Sequence, residues 1–164
     1  VLKISYDYKN KLGWNITSGK MKLKAYVSFK TLDKLNASGG SDVWVDGTLK
    51  ASRLDIRISG GADFVGKVDA TDLDVEASGG SDMHISGSAK KLTIEASGGS
   101  DVKGFDLSVE TCNANASGGS DIQISASKEL NIDANGGSDV HYKGNAVIKD
   151  IKTSGGGSVK KVSK

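Results

Sequence analysis

Proline is absent from this sequence of 164 residues, and the chain has a single cysteine, Cys112. One cysteine excludes an internal disulfide and a metal site built from cysteine pairs. No apolar run approaches the ~20 residues of a membrane-spanning helix, and no signal peptide is recognisable. Lysine plus arginine (22) and aspartate plus glutamate (20) nearly balance and are interspersed, which argues against nucleic acid as the main partner.

The missing proline and the abundant glycine predict the same kind of fold. In a stacked parallel sheet each strand donates backbone N–H groups to its neighbour, and proline has no N–H to donate. The 22 glycines are concentrated in pairs that recur along the chain. Such pairs are typical of tight corners between strands.

One short motif recurs seven times. Residues 37–43 read Ala-Ser-Gly-Gly-Ser-Asp-Val, and the last copy, at residues 153–159, is the most divergent. The first glycine of each copy stands at position 39, 60, 79, 98, 118, 136 and 155, so the copies are 18 to 21 residues apart. A repeat of this length at near-constant spacing predicts a solenoid.

Apolar and polar residues alternate between the corners, as in Val43-Trp44-Val45 and in residues 54–58, which indicates strands with one buried face. The sequence therefore predicts an all-β fold, a parallel β-helix of seven to eight coils with about 19–20 residues per coil. We expect one domain over residues 1–164. Its parts are N-terminal capping strands (1–36, from the alternation in residues 2–6 and 21–29), repeat coils (37–159) and a basic C-terminal tail (160–164).

The repeated aspartates form one column of the predicted stack: Asp42, Asp63, Asp82, Asp101, Asp121 and Asp139. In the first interpretation each carboxylate accepts backbone N–H bonds at its Gly-Gly-Ser corner and is structural. In the second the column binds Ca²⁺, but the repeat lacks the second spaced glycine and the short period of calcium solenoids. We favour the structural corner and predict no metal and no cofactor. Cys112 falls in an inner column and is predicted to be a buried apolar residue.

Residues that break the repeat are the candidates for binding. Trp44, His84, Gln123 and His141 lie in one outward column beside the aspartates, and an exposed Trp is suited to stacking on a sugar or contacting a partner. The two histidines are three coils apart, so they do not share a metal. Every coil repeats the same polar residues, so no acid–base pair stands out and no catalytic residue is predicted.

The repeats, together with the preceding residues 24–36 and the opening Leu-Lys-Ile-Ser-Tyr stretch, resemble the GIN domain family over about residues 2–159. That family is described as the head domain of auto-transporter adhesins of Gram-negative bacteria. The Gly-Ile-Asn signature expected near its start is absent from this sequence. The resemblance implies a right-handed parallel β-solenoid without catalytic residues. It also implies export to the periplasm, the outer membrane surface or the extracellular space.

We therefore expect a non-enzymatic surface or periplasmic adhesin that binds a glycan or a host or cell-surface protein through one face of the solenoid. Two alternatives remain: a polysaccharide-active β-helix enzyme, and a purely structural envelope protein. The sequence predicts neither nucleic acid binding nor a transmembrane segment, and it leaves homo-oligomers open.

Overall fold

The computed structural model describes residues 1–5 and 23–163, which form nine strands and no helix. All strand pairs are parallel, and the strands stack in chain order, so the predicted all-β parallel solenoid of about seven turns is confirmed. The strands are β1 (Lys34–Gly39), β2 (Asp42–Gly60), β3 (Asp63–Gly79), β4 (Asp82–Ala96), β5 (Asp101–Ala116), β6 (Asp121–Ala134), β7 (Asp139–Lys143), β8 (Val147–Thr153) and β9 (Ser158–Lys161).

Each of the five long strands, β2 to β6, bends around most of one coil. The next coil is divided between two shorter strands, because β6 pairs with β7 along its first part and with β8 along its second. β9 continues the stack on β7. A glycine pair separates each long strand from the next, so one repeat of the motif corresponds to one turn of the solenoid.

The core consists of inward columns in which the same kind of residue recurs from coil to coil. One column stacks Leu54, Leu73, Leu92, Cys112 and Leu130, all fully or almost fully buried. A single coil cannot enclose these side chains, whereas neighbours stacked about 4.8 Å apart exclude water from both sides. Cys112 is buried as predicted, and desolvation raises the pKa of its thiol to about 12.

The Gly-Gly corners turn in the left-handed backbone region. The first glycine of each pair has φ between 66° and 76°. At Gly98, an added Cβ would lie 3.0 Å from the carbonyl oxygen of Gly79 in the coil below. The neighbouring N–H of Gly99 donates to that same carbonyl at 2.8 Å. Glycine thus supplies both the turn and the close backbone stacking.

The N-terminal capping strands are not formed where the structure describes them. Residues 1–5 and 23–33 carry no strand, and Leu23, Val27 and Phe29 are 64%, 45% and 50% exposed despite their alternating pattern. Among the described residues no neighbouring strand supplies hydrogen bonds or an apolar surface to these segments. Residues 6–22 of the predicted cap lie outside the described residues. Close to the first coil, Leu32 and Leu35 pack against the core.

Candidate functional site

The predicted binding residues lie in one column. In the strand register Trp44 faces Val65, Val65 faces His84, and the column continues to His141. We name it the Trp44 column; its members are Trp44, Val65, His84, Lys103, Gln123, His141 and Lys160. Sequence reasoning missed Val65, Lys103 and Lys160, although the repeat spacing alone places them in this column.

Exposure along the Trp44 column is uneven. Trp44 is 69% and Val65 44% exposed, whereas Gln123 and His141 are half-buried. A large exposed indole beside an exposed valine forms an apolar end to the column, and such a surface accepts the apolar face of a sugar ring or an aliphatic side chain. The rest of the column supplies hydrogen-bond donors from His84, Lys103 and Gln123.

A shallow pocket of about 350 Å³ opens beside this column, at the lower end of the range (about 300–1,000 Å³) typical of ligand pockets. Gly47 has no side chain and leaves the space open, while Val65 lines its apolar part. The polar groups at its rim are Lys67, His84, Ser86, Lys103 and Asp106. The pocket therefore combines an apolar patch with donors and an acceptor.

The irregular fourth coil shapes one side of this pocket. The register between β5 and β6 shifts between Gly104 and Ser108, so Phe105 and Asp106 form a bulge. The Nζ of Lys143 lies 5.0 Å from the centre of the Phe105 ring, within cation–π range. The bulge holds Asp106 at the pocket rim, where a regular coil would present another small repeat residue.

The aspartate column lies two residues before the Trp44 column in each strand, and its six members stack in direct register. We call the surface formed by these two columns the flat face. The predicted bonds from corner N–H groups to these carboxylates are wrong. In the described part of the chain the carboxylate oxygens of these six aspartates take part in no hydrogen bond and no ion pair. The backbone N–H of Asp101 instead donates to the carbonyl of Ser81 at 3.0 Å, in the coil below.

Serine hydroxyl groups, and not the aspartates, form the side-chain hydrogen bonds at the corners. Ser100 is fully buried and its Oγ lies 3.1 Å from the carbonyl oxygen of Ala77 and 3.0 Å from that of Ser97. Ser120 makes the equivalent contacts one coil later, at 3.1 Å and 2.9 Å. Four of the six aspartates are exposed, and Asp101 and Asp139 are half-buried. Their carboxylates have no role in the corner, which leaves the aspartate column available to a ligand.

A second face, which carries Lys34, Asp55, Arg57 and Glu76, differs from the aspartate column because its charged side chains pair with one another. Lys34 and Arg57 each contact Asp55 at 3.0 Å, and Arg57 also contacts Glu76 at 3.0 Å. Burial opposes ionisation of Asp55, but hydrogen bonds from Arg57 and Lys34 outweigh it and lower the pKa of this carboxyl. Because these charged side chains are already paired with one another, we interpret this face as solvated surface and not as a binding site.

A larger concavity than this pocket lies elsewhere on the solenoid and was not predicted. This concavity is a groove of about 1700 Å³ that crosses several coils. Its floor is formed by one column of small residues, Ala51, Ala70, Ala89, Val109 and Ala126. Small inward residues let the wall of the solenoid indent there. Ser88, Ser108 and Ser125 also line the groove, and charged side chains of both signs occur along the length of the groove. No sequence signal marks it, because it depends on the cross-section of the coil.

No group of three or more His, Cys, Asp or Glu side chains within residues 1–5 and 23–163 is arranged to hold a metal ion. His84 and His141 are separated by three coils, about 14 Å at the stacking distance. The described residues include no helix of the length and hydrophobicity needed to cross a membrane.

Comparison with known proteins identifies relatives of this chain. The family model described as "Putative auto-transporter adhesin, head GIN domain" matches residues 1–146, and this description indicates an exported or surface protein that binds partners. A crystal structure described as a "Putative lipid binding protein" from Parabacteroides distasonis ATCC 8503 is similar with a TM-score of 0.63 and 22% identity, and supports the fold. The match covers 80% of this chain and 62% of that one. No curated protein matches.

Proposed function

Since this chain belongs to the GIN domain family, we propose that it is an exported, non-enzymatic adhesin domain that binds glycans through its flat face. The observation that carries this proposal is the pocket beside the Trp44 column. The pocket is lined by Val65 and by polar groups from His84, Lys103 and Asp106, and the exposed indole of Trp44 lies next to Val65 in the strand register. Stacking on an aromatic ring and hydrogen bonds to hydroxyl groups are the two interactions that a sugar requires.

The aspartate column supports a hydroxyl-rich ligand. Carboxylates without internal partners accept hydrogen bonds from sugar hydroxyls, and their regular spacing of about 4.8 Å suits an extended polymer. Cationic side chains of the Trp44 column, such as Lys103 and Lys160, lie about two residues away and keep the face from being uniformly acidic. We place the protein on the cell surface, with the periplasm or extracellular medium as the other exported compartments.

A glycan array followed by titration calorimetry tests this function. We expect the wild-type protein to bind a subset of glycans, and Trp44→Ala to weaken that binding about tenfold or more, since about 1.4 kcal/mol of stacking corresponds to tenfold. His84→Ala should weaken it as well. Tyr26→Ala is the control, because Tyr26 is an aromatic residue that is 91% exposed and lies outside the strands and the pocket lining.

A substitution in the groove distinguishes glycan binding at the groove from glycan binding at the flat face. Ser108→Trp fills the groove without touching the flat face, and we expect it to bind glycans as the wild type does. If Ser108→Trp abolishes binding while Trp44→Ala retains it, the groove is the binding surface and the proposed site is wrong. Absence of binding across the array would contradict the glycan proposal itself.

A further inference from the structure

The cationic and imidazole groups of the pocket beside the Trp44 column come from three consecutive strands within the stack. Lys67 belongs to β3, His84 to β4 and Lys103 to β5, and all three side chains are exposed. Each of these strands pairs with a described strand on both sides. Their arrangement is therefore fixed by the body of the solenoid.

The strand register places the two lysines on opposite sides of β4. Lys103 faces His84 from β5, and Lys67 faces Ser86 from β3. Because neighbouring strands are about 4.8 Å apart, the two lysine backbones are about 10 Å apart along the solenoid axis. Both side chains are long and flexible, so a ligand lying over His84 and Ser86 is within reach of both ammonium groups.

These two lysines have no acidic partner within residues 1–5 and 23–163. The ion pairs there involve other cationic residues, such as Lys34 with Asp55 at 3.0 Å and Lys128 with Glu110 at 2.7 Å. The pocket lining contains one carboxylate, that of Asp106. Two lysines and one aspartate give the lining a net charge of +1 with His84 counted as neutral.

A ligand with one anionic group complements this charge. A neutral sugar would bind through its hydroxyl groups and its apolar face alone, and it would leave the positive charge of the lining uncompensated. An anionic sugar adds an attraction to the two ammonium groups. Since such pairs at a solvated surface are individually weak, their main effect is to discriminate between charged and neutral ligands.

The aspartate column determines how an anionic sugar is oriented. Asp63 and Asp82 lie two residues before Val65 and His84 in the same strands, and their carboxylates repel an anion. Lys67 follows Asp63 by four residues, so it lies farther along its strand from the aspartate column than His84 does. The anionic group is therefore expected to point towards Lys67, with ring hydroxyl groups directed to the aspartates.

We propose that the sugar bound at this pocket is anionic, and that Lys67 and Lys103 bind its charged group. The inference rests on the proposed glycan-binding function and specifies its ligand class. The charged group is the carboxylate of a uronic acid or the sulfate ester of a sulfated sugar, since both present oxygen acceptors with a negative charge to the ammonium groups. Val65 contacts the apolar face of the ring, and Asp106 accepts a hydrogen bond from a hydroxyl group.

Oligosaccharides that differ only in charge test the inference by titration calorimetry. The probes are oligomers of glucuronic, galacturonic and mannuronic acid, each with its carboxyl-reduced form, and sulfated dextran fragments with unsulfated dextran. In at least one pair we expect the charged member to bind about tenfold more tightly at low salt, because two ion pairs worth about threefold each multiply. The preference should shrink at about 1 M salt.

Lysine substitutions locate the charged group. Lys67→Gln and Lys103→Gln should each weaken binding of the charged member about threefold, and binding of the neutral member less, since glutamine keeps a hydrogen-bond donor. Lys91→Gln is the matched control: Lys91 is exposed, lies outside the pocket lining and loses the same charge. The pair in which the two pocket lysines matter identifies carboxylate or sulfate as the source.

The outcomes separate this inference from the proposed function. Equal affinity for the charged and neutral members of every pair would overturn the inference. A loss with Lys91→Gln as large as with Lys103→Gln would also overturn it, because that result would indicate attraction to the overall charge of the protein. Binding of neutral glycans alone would overturn the anionic ligand class and leave the glycan-binding function intact, whereas no binding to any probe or array glycan would contradict both.

Discussion

The buried hydroxyl of Ser100 lies within hydrogen-bond distance of two carbonyl oxygens, while the carboxylate of the neighbouring, half-buried Asp101 has no hydrogen-bond partner among the described residues. The sequence could not distinguish these roles, because Ser and Asp both hydrogen-bond locally in turns and both recur in every repeat. Side-chain direction at the corner decides between them. Ala62 takes the serine position in the second coil and is fully buried, so the corner closes without a hydroxyl there.

A pair of serine substitutions measures this role. Ser100→Ala removes a buried hydrogen bond and should lower the free energy of unfolding by about 1 kcal/mol. Ser81 is equally buried but its Oγ has no partner, so Ser81→Ala should leave stability unchanged or raise it. Urea denaturation with a common m-value gives both changes. Equal losses in the two variants would contradict the assignment of the corner bonds.

At the scale of the strand, glycine spacing and apolar alternation predicted the repeating element well. Alternation failed in residues 23–29, since a strand also needs a partner edge, and the sequence alone does not show whether one is available. A second corner glycine, which occurs in most coils but not in the coil of Asp121–Ala134, illustrates a similar dependence on the neighbouring coil. Gly47 and Gly87 both have positive φ, 91° and 110°, but of the two only Gly87 has a coil beneath it among the described residues.

This difference makes a matched test of coil stacking. A Cβ at Gly87 would lie 2.0 Å from the carbonyl oxygen of Val68, whereas a Cβ at Gly47 meets nothing within 4 Å. Both alanine variants carry backbone strain, and Gly87→Ala must also displace backbone. We expect Gly87→Ala to lower the free energy of unfolding by about 2 kcal/mol more than Gly47→Ala. Similar losses, measured by thermal or urea unfolding, would mean that stacking is looser than described.

For the whole molecule, repetition predicted the architecture, the buried Cys112 and the alignment of Trp44, His84, Gln123 and His141 in one column. The groove and the pocket were not predictable, because concavity depends on how far each wall of the coil lies from the axis. The bulge at Phe105 and Asp106 was visible only as an irregular fourth repeat. The residues that depart from the repeat therefore contribute most to the candidate site.

The central claim is that the carboxylates of the repeated aspartates form part of the binding surface and do not stabilise the Gly-Gly corners. Six carboxylates stacked about 4.8 Å apart repel one another, and salt screens that repulsion. The most direct test is the melting temperature of Asp101→Asn relative to wild type at low salt and at about 1 M salt. We predict a higher melting temperature for the variant at low salt and a smaller difference at high salt. A lower melting temperature in both conditions would show that the carboxylate stabilises the corner and would contradict the claim.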